Sequence, residues 1–230
     1  MSATKAIFVK QLKDTYNNMG VLIQFAIFPL VALAMTVFVA RGDDYMPDTM
    51  FVNMMSAAFA GMALIPTVAN IVAEDKEKKS LRFLAMAGLK PASYILGVGG
   101  VMFVASMVPV VAFAFIGGLE GNTLRNFVAI MMSGVAASIM LGLSIGILAK
   151  NQQAAAGLAM PIAMLLGFGP MISDFNETVH EVMLFFYTQQ FNEVNNNPDA
   201  LTRPFLVMGA NILVLVVFFS IVYKKKGLKG

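Results

Sequence analysis

Residues 72–97 read VAEDKEKKSLRFLAMAGLKPASYILG, a charged stretch enclosed by two strongly apolar segments. Within it, Glu74 and Lys78 form one i,i+4 pair of opposite charges, and Asp75 and Lys79 form a second. Such pairs stabilise an α-helix, because residues four apart lie on the same helix face. The charges therefore predict that this connection between two apolar segments is a structured helix.

The sequence also predicts where that helix ends. Leu81 and Leu84 share one helix face and give it an apolar side. Gly88 suits the left-handed position that closes many helices, and Pro91 suits the first turn of the next one. We therefore predict a helix over about residues 74–87, a tight turn, and a second helix.

The composition places the chain in a membrane. Of its 230 residues, 58% are hydrophobic and 13% are charged, and the mean hydropathy is +0.76. A soluble domain carries roughly 25% charged residues. The chain has no Cys and one His, which excludes disulfides, thiolate metal sites and clusters of several histidines. No room is left for a separate soluble catalytic domain.

We predict one all-α transmembrane domain over residues 1–230, with an interfacial helix at the N-terminus over residues 4–18. Phe8, Leu12 and Tyr16 recur every fourth residue there, which is typical of a helix lying in the membrane interface. A plain helical extension of the first span is the alternative. Six apolar runs are long enough to cross a bilayer. They cover about residues 20–40, 51–72, 92–117, 127–149, 154–172 and 204–223.

The basic residues are distributed unevenly between the two sides of these spans. Thirteen of the 16 Lys and Arg residues fall on the side of the termini and of the coupling segment, residues 73–91. Nine of the 13 acidic residues fall on the other side. Basic loops stay in the cytoplasm. The pattern predicts a multi-pass protein of the cytoplasmic membrane with both termini inside, and explains the basic pI without nucleic acid.

The long connection on the opposite side covers residues 173–203. Asp174 is a suitable N-cap for a helix from Phe175 to about Phe191. Its middle, VMLFFY, is too apolar for a free loop. We expect a re-entrant or amphipathic segment that either dips back toward the membrane or covers the outer end of the bundle.

The spans contain amide side chains and glycines but no charge. Gln24, Asn53, Asn70 and Asn211 are candidates for a substrate path, although hydrogen bonds between helices are the more ordinary role of such residues. Gly142 and Gly146 form a GxxxG pattern, for which packing inside the bundle is favoured over a dimer face. A proton relay would need charged side chains inside the membrane, and the predicted spans have none, so we do not expect one here.

The chain also lacks the sequence signatures of the common hydrolases. It has no GxxxxGK[ST] phosphate-binding loop, no HExxH zinc motif and no GxSxG nucleophile motif. We therefore expect a non-enzymatic protein.

The layout and one motif resemble the membrane subunit of type-2 ABC exporters. The first cytoplasmic loop of that family typically reads I-A-x-E-x-E-x-G-T-L-x-x-L, followed by a short elbow and I-L-G-K. Here residues 71–74, Glu77, residues 80–84 and residues 95–97 match in order. Three positions depart from the pattern: Lys79 replaces the glycine, Ser80 the threonine and Val98 the lysine.

The resemblance implies a mechanism that involves other chains. A cytoplasmic ATPase subunit would bind ATP and Mg²⁺, which this chain does not hold itself. A second permease chain, identical or different, would complete a dimer. The coupling segment would dock into the ATPase as a cytoplasmic coupling helix. The residues that the resemblance assigns to this role are Glu74, Glu77, Ser80, Leu81, Leu84, Gly88 and Pro91.

The expected function is thus ATP-driven export of a hydrophobic or amphipathic cargo: a drug, an antimicrobial peptide or a lipid-like molecule. Two alternatives stay open at the level of the sequence. One is an ATP-independent secondary transporter or facilitator. The other is a membrane immunity or scaffold protein that binds a partner without transporting it.

Overall fold

The computed structural model describes residues 3–42, 46–47, 49–79, 91–196 and 201–227. The predicted coupling residues Ser80, Leu81, Leu84 and Gly88 lie outside these ranges. The α-helices in the described ranges are Ala3–Asn17, Met19–Phe38, Met50–Ala58, Ile65–Glu77, Pro91–Tyr94, Gly100–Ile116, Gly121–Leu148, Gln152–Ser173, Glu177–Met183, Gln190–Asn196 and Thr202–Val222. Ala40–Gly42 is a 3₁₀ turn, and three segments are π-helical: Phe59–Leu64, Ile95–Gly99 and Tyr223–Gly227.

Six helical segments of the described chain are long and apolar enough to cross a membrane. We number them spans 1 to 6: Met19–Gly42, Met50–Glu77, Ile95–Ile116, Gly121–Leu148, Gln152–Ser173 and Thr202–Lys225. Together with the absence of strands in the described ranges, they confirm the predicted all-α polytopic membrane fold.

Span 2 forms the centre of the bundle. In its most apolar stretch 78% of the residues are buried, compared with 17% in span 6. The π-helical turn Phe59–Leu64 lies midway along span 2 and places the fully buried Phe59 among its neighbours. The Phe59 ring packs edge-on against Phe25 of span 1 and Phe113 of span 3, with ring centroids 5.4 and 6.1 Å apart. Three spans therefore meet around one aromatic side chain.

Glycines allow spans 4 and 5 to approach the backbone of span 2. A Cβ atom added to Gly146 of span 4 would lie 2.5 Å from Val72 Cβ and 2.7 Å from the Ala69 carbonyl oxygen. One added to Gly61 of span 2 would lie 2.6 Å from the backbone nitrogen of Gly167 in span 5. The GxxxG pattern of span 4 thus packs inside the bundle, which confirms the interpretation favoured from the sequence.

The N-terminal helix contacts the start of span 3. Ile7 touches the position of Gly97, and Ile7, Gln11 and Thr15 are buried along one face. The stripe predicted from the sequence is divided, because Phe8 packs against Gly100 of span 3 whereas Leu12 and Tyr16 are 45% and 76% exposed. Asn18 separates this helix from span 1, because its side chain accepts hydrogen bonds from the first backbone amides of span 1. The helix is therefore a separate element, and its Leu12 and Tyr16 are free to face lipid.

The connection between spans 5 and 6 differs from the prediction. The continuous helix over Phe175–Phe191 with an Asp174 cap is wrong: Asn176 caps a helix that ends at Met183, and a second helix begins at Gln190. The chain turns between them, and the Gln190 amide donates to the Leu184 and Phe186 carbonyls, at 2.9 and 3.2 Å. These bonds satisfy backbone groups that the break leaves without helical partners.

Both helices of this connection pack onto the spans. Phe191 is fully buried and its ring lies against Gly134 of span 4, while Met183 lies against Gly169 of span 5. The hydroxyl oxygens of Tyr187 and Ser138 are 2.8 Å apart and buried. The contacts with Gly134 and Ser138 lie midway along span 4, so the segment packs against the sides of the spans and is not confined to the end of the bundle.

We expect Gly146→Leu to lower the midpoint temperature of unfolding in detergent. The new side chain would collide with the span 2 backbone, and overpacking of this kind costs about 1–3 kcal/mol or more. Gly157→Leu in span 5 is the matched control, because nothing lies within 4 Å of a Cβ added there. Circular dichroism of the helices, recorded on heating, measures the midpoint temperatures. Equal decreases of this temperature in the two variants would contradict this packing.

Candidate functional site

The candidate site is the end of span 2 that leads into the segment not described, residues 80–90. The α-helix continues to Glu77, five residues beyond the predicted end of the span. Lys79 then has a φ angle of 59°, and its amide donates to the Lys76 carbonyl at 3.0 Å. A single helix over residues 74–87 is therefore wrong, because Glu74 and Glu77 belong to the last turns of span 2.

Asp75 connects three elements at this end. Its side chain is buried, with the residue 7% exposed, and Lys10 Nζ of the N-terminal helix lies 3.0 Å from Asp75 Oδ1. The Tyr94 hydroxyl, just before span 3, donates to Asp75 Oδ2, also at 3.0 Å. Burial and the nearby Asp75 raise the pKa of Tyr94, so the phenol stays protonated and donates. We call Lys10, Asp75 and Tyr94 the Asp75 clamp.

The two residues after Asp75 reach two further elements. Lys76 Nζ donates to the Ile147 and Ala149 carbonyls at the C-terminal end of span 4, at 2.8 and 2.9 Å. The last carbonyls of a helix have no partner within it and carry partial negative charge, so a lysine is favourable there. Glu77 Oε2 accepts from the Gln152 amide at the beginning of span 5, at 3.4 Å.

Glu74 lies on the exposed side of the same turns. It forms an ion pair with Lys78, and this hydrogen bond raises the pKa of the Lys78 amine. Residues 74–77 therefore point in different directions, and each one contacts a different part of the molecule. The backbone of Pro91 begins the short helix that carries Tyr94.

The four amide residues proposed for a substrate path do not form one cluster, although Gln24 bonds Thr67, one helix turn from Asn70. Gln24 joins spans 1 and 2: its Oε1 accepts from the Thr67 hydroxyl at 2.7 Å, and its Nε2 donates to the Met62 carbonyl at 3.3 Å. Asn211 of span 6 donates to the Phe185 and Val207 carbonyls, both at 2.9 Å. These two residues thus form the interhelical and backbone hydrogen bonds that are expected of such side chains.

The other two amides lie on span 2, seventeen residues apart. Asn53 is buried near its beginning, and the buried Oδ1 of Asn70 has no hydrogen-bond partner in the described part of the chain. Seventeen residues of helix separate them by about 25 Å. The structure does not bring the four amides into one site.

Sequence reasoning missed Lys10, Lys76 and Tyr94 and gave Asp75 the wrong partner. One signal was available. Consecutive helical residues are about 100° apart, so the four charges of residues 74–77 cannot all lie on one solvent-facing side. At least one had to turn toward the bundle and find a partner there.

A scan against protein-family models gives a match to the ABC-2 family transporter protein model over residues 7–224, nearly the whole chain. The chain belongs to this family. The matched region includes most of the N-terminal helix, spans 1 to 5, all but the last residue of span 6, and the Asp75 clamp. A search of curated proteins finds no match. As an ABC-2 permease, the protein is the membrane component of an ABC transporter system with an ATPase partner.

We expect Lys79→Gly to stabilise the protein by up to about 1 kcal/mol. A side chain in the left-handed region is strained, and glycine, which the family resemblance places at this position, adopts that region freely. Lys78→Gly should have the opposite effect, because Lys78 has a negative φ and pairs with Glu74. The midpoint temperatures of the two variants in detergent check this; a loss in both would contradict it.

We expect Tyr94→Phe to destabilise the protein by about 1–3 kcal/mol. The change leaves one oxygen of the buried Asp75 carboxylate without its phenol donor, and an unsatisfied buried acceptor has that cost. Tyr16→Phe removes the same hydroxyl from an exposed position of the N-terminal helix and serves as the control. Chemical denaturation in detergent measures both; equal midpoints for Tyr94→Phe and the unmodified protein would disprove the contribution of the hydroxyl.

Proposed function

We propose that the chain is the membrane subunit of an ATP-driven exporter, and that the coupling segment docks into a cytoplasmic ATPase on a separate chain that holds ATP and Mg²⁺. The hydrogen bond between Tyr94 and Asp75 is the observation that carries the proposal. It joins the span that leads into residues 80–90 to the helix that leads out of them. The two described elements that flank the proposed docking segment are therefore held together.

The contacts of this base support a role in transmitting force. Asp75 connects it to the N-terminal helix and span 3, Lys76 to span 4, and Glu77 to span 5. A push on residues 80–90 would reach span 2 directly and four further elements through these polar contacts. A loop that served only to fix topology would need basic residues alone and no buried carboxylate at its base.

The charge distribution supports the orientation. The Asp75 clamp lies on the side that carries thirteen of the 16 basic residues, together with both termini. By the positive-inside rule this side faces the cytoplasm, where an ATPase subunit is available for docking. The proposed location is accordingly the cytoplasmic membrane.

We further propose that two permease chains, identical or different, form the transport path. In the described part of the chain, the core of one six-span bundle is filled by span 2, whose Phe59, Leu64 and Ile65 are fully buried. Spans 1 and 6 leave most of their residues exposed, since 28% and 17% of their most apolar stretches are buried. The proposed cargo is hydrophobic or amphipathic, in the class of drugs, antimicrobial peptides and lipid-like molecules, because the predicted spans carry no charge.

The experiment is affinity purification of the tagged chain from its native membrane in a mild detergent. We expect a stoichiometric protein with a phosphate-binding loop, recovered at least about tenfold less with Leu81→Asp or Glu74→Ala; a loss of about 1.4 kcal/mol of binding is enough for that factor. Glu120→Ala, an exposed glutamate between spans 3 and 4, should leave recovery unchanged.

The proposal fails if no ATPase accompanies the chain, or if recovery is equal in all the variants. In the first case, solute movement in vesicles made from the purified chain alone would favour the ATP-independent facilitator. Size-exclusion profiles of each variant show whether the permease itself is intact, which separates lost docking from lost folding.

A further inference from the structure

Two cavities adjoin where the N-terminal helix meets span 1. The first has a volume of about 710 Å³ and lies between the N-terminal helix, the start of span 1 and the end of span 2. The second has a volume of about 400 Å³ and lies between spans 1 and 3. Thr15 and Val21 line both. The two cavities differ sharply in chemistry.

The first cavity is lined by charges of both signs, and we call it the polar cavity. Lys10 and Lys78 line it together with Asp14, Glu74 and Asp75. The side chains of Lys10 and Lys78 are 54% and 67% exposed, and those of Asp14 and Glu74 are 55% and 41% exposed. Their ion pairs therefore leave room for further hydrogen bonds. Three carboxylates face two ammonium groups, so the lining has an excess of negative charge.

The second cavity is an open apolar groove. Apart from Thr15, its lining consists of aliphatic and aromatic side chains and prolines, from Val21 to Leu30 on span 1 and from Ala105 to Ala112 on span 3. Nine residues of helix from Val21 to Leu30 span about 14 Å along the axis of span 1. The groove is therefore apolar over a length that accommodates much of one acyl chain.

We propose that one phospholipid with a primary amine in its headgroup, of the phosphatidylethanolamine type, occupies both cavities. One acyl chain lies in the groove, and the headgroup lies in the polar cavity of the leaflet that contains the N-terminal helix. The phosphate accepts from Lys10 and Lys78, and the ammonium donates to Asp14 and Glu74. The lipid then fills the space between the N-terminal helix and span 2 beside the Asp75 clamp.

The charges of the cavity select this headgroup. An anionic lipid without an amine would bring negative charge to a lining that already has an excess of it. A choline headgroup has the same net charge as ethanolamine but no N–H to donate, so it forgoes the charge-assisted bonds to the carboxylates. This inference does not depend on ATP-driven export and holds for any function of the permease.

The test uses the full chain in nanodiscs with equal amounts of phosphatidylethanolamine, phosphatidylcholine and phosphatidylglycerol, followed by native mass spectrometry. We expect one phosphatidylethanolamine retained per chain, about tenfold in preference to the other two lipids, as one extra charge-assisted hydrogen bond provides. Asp14→Asn should reduce the preference over phosphatidylcholine, because a neutral amide oxygen is a weaker acceptor for the ammonium than a carboxylate is.

A second arm tests the groove. Ala26→Phe fills it from span 1 and should lower the retained lipid about tenfold, and Ala112→Phe should do the same from span 3. Ala34→Phe is the control, because Ala34 is exposed on span 1, two turns further along, and does not line the groove. The two filling variants lie on different spans, so a folding failure of one leaves the other to decide.

Three results would overturn the proposal: no retained lipid, retention of phosphatidylglycerol in preference, or equal retention in the Ala26→Phe, Ala112→Phe and Ala34→Phe proteins. Size-exclusion chromatography and circular dichroism of each variant establish that the compared proteins are folded.

Discussion

The buried carboxylate of Asp75 is the constraint on which the arrangement of this end of the protein depends. A charged group removed from water must be given hydrogen-bond donors, and leaving it without them costs several kcal/mol. Lys10 and Tyr94 supply these donors from two elements that are distant in sequence. The position of the N-terminal helix and the start of span 3 are both fixed by this requirement.

The clamp can act over the whole bundle because span 2 is at its centre. Glycines on spans 4 and 5 remove side-chain bulk at the contacts, so their backbones approach span 2 closely. Rigid, close-packed contacts transmit a displacement instead of absorbing it. The π-helical turn at Phe59–Leu64 interrupts the span midway, and the carbonyl of Met62 is satisfied there by Gln24 of span 1. Close contacts with neighbouring spans thus continue from the end of span 2 to its middle.

Hydropathy alone predicted the six spans, because a bilayer demands about 20 apolar residues whatever their partners. The ends of the helices were not predictable in the same way. Span 2 extends to Glu77 because Asp75 and Lys76 find partners on other elements, and local i,i+4 pairing carries no information about them.

The same limit applies to the connection between spans 5 and 6. Its helical propensity is real, but the break before Gln190 is stabilised by tertiary packing of Tyr187 and Phe191 on span 4. At the candidate site, the sequence prediction erred in the partner of one residue. The charges and the family motif directed the sequence analysis to this segment, yet the i,i+4 spacing assigned Asp75 to Lys79. The structure instead assigns it to Lys10 and Tyr94.

The most direct test of the account is whether the Asp75 clamp transmits the state of the ATPase to the far end of the bundle. The chain has no native Cys, so a single Phe175→Cys, 83% exposed just beyond span 5, can carry an environment-sensitive fluorophore. In the complex with the ATPase, ATP and vanadate should change its emission. With Asp75→Asn added, the change should be lost while the ATPase stays bound and hydrolyses ATP. An equal emission change in both proteins would contradict the account.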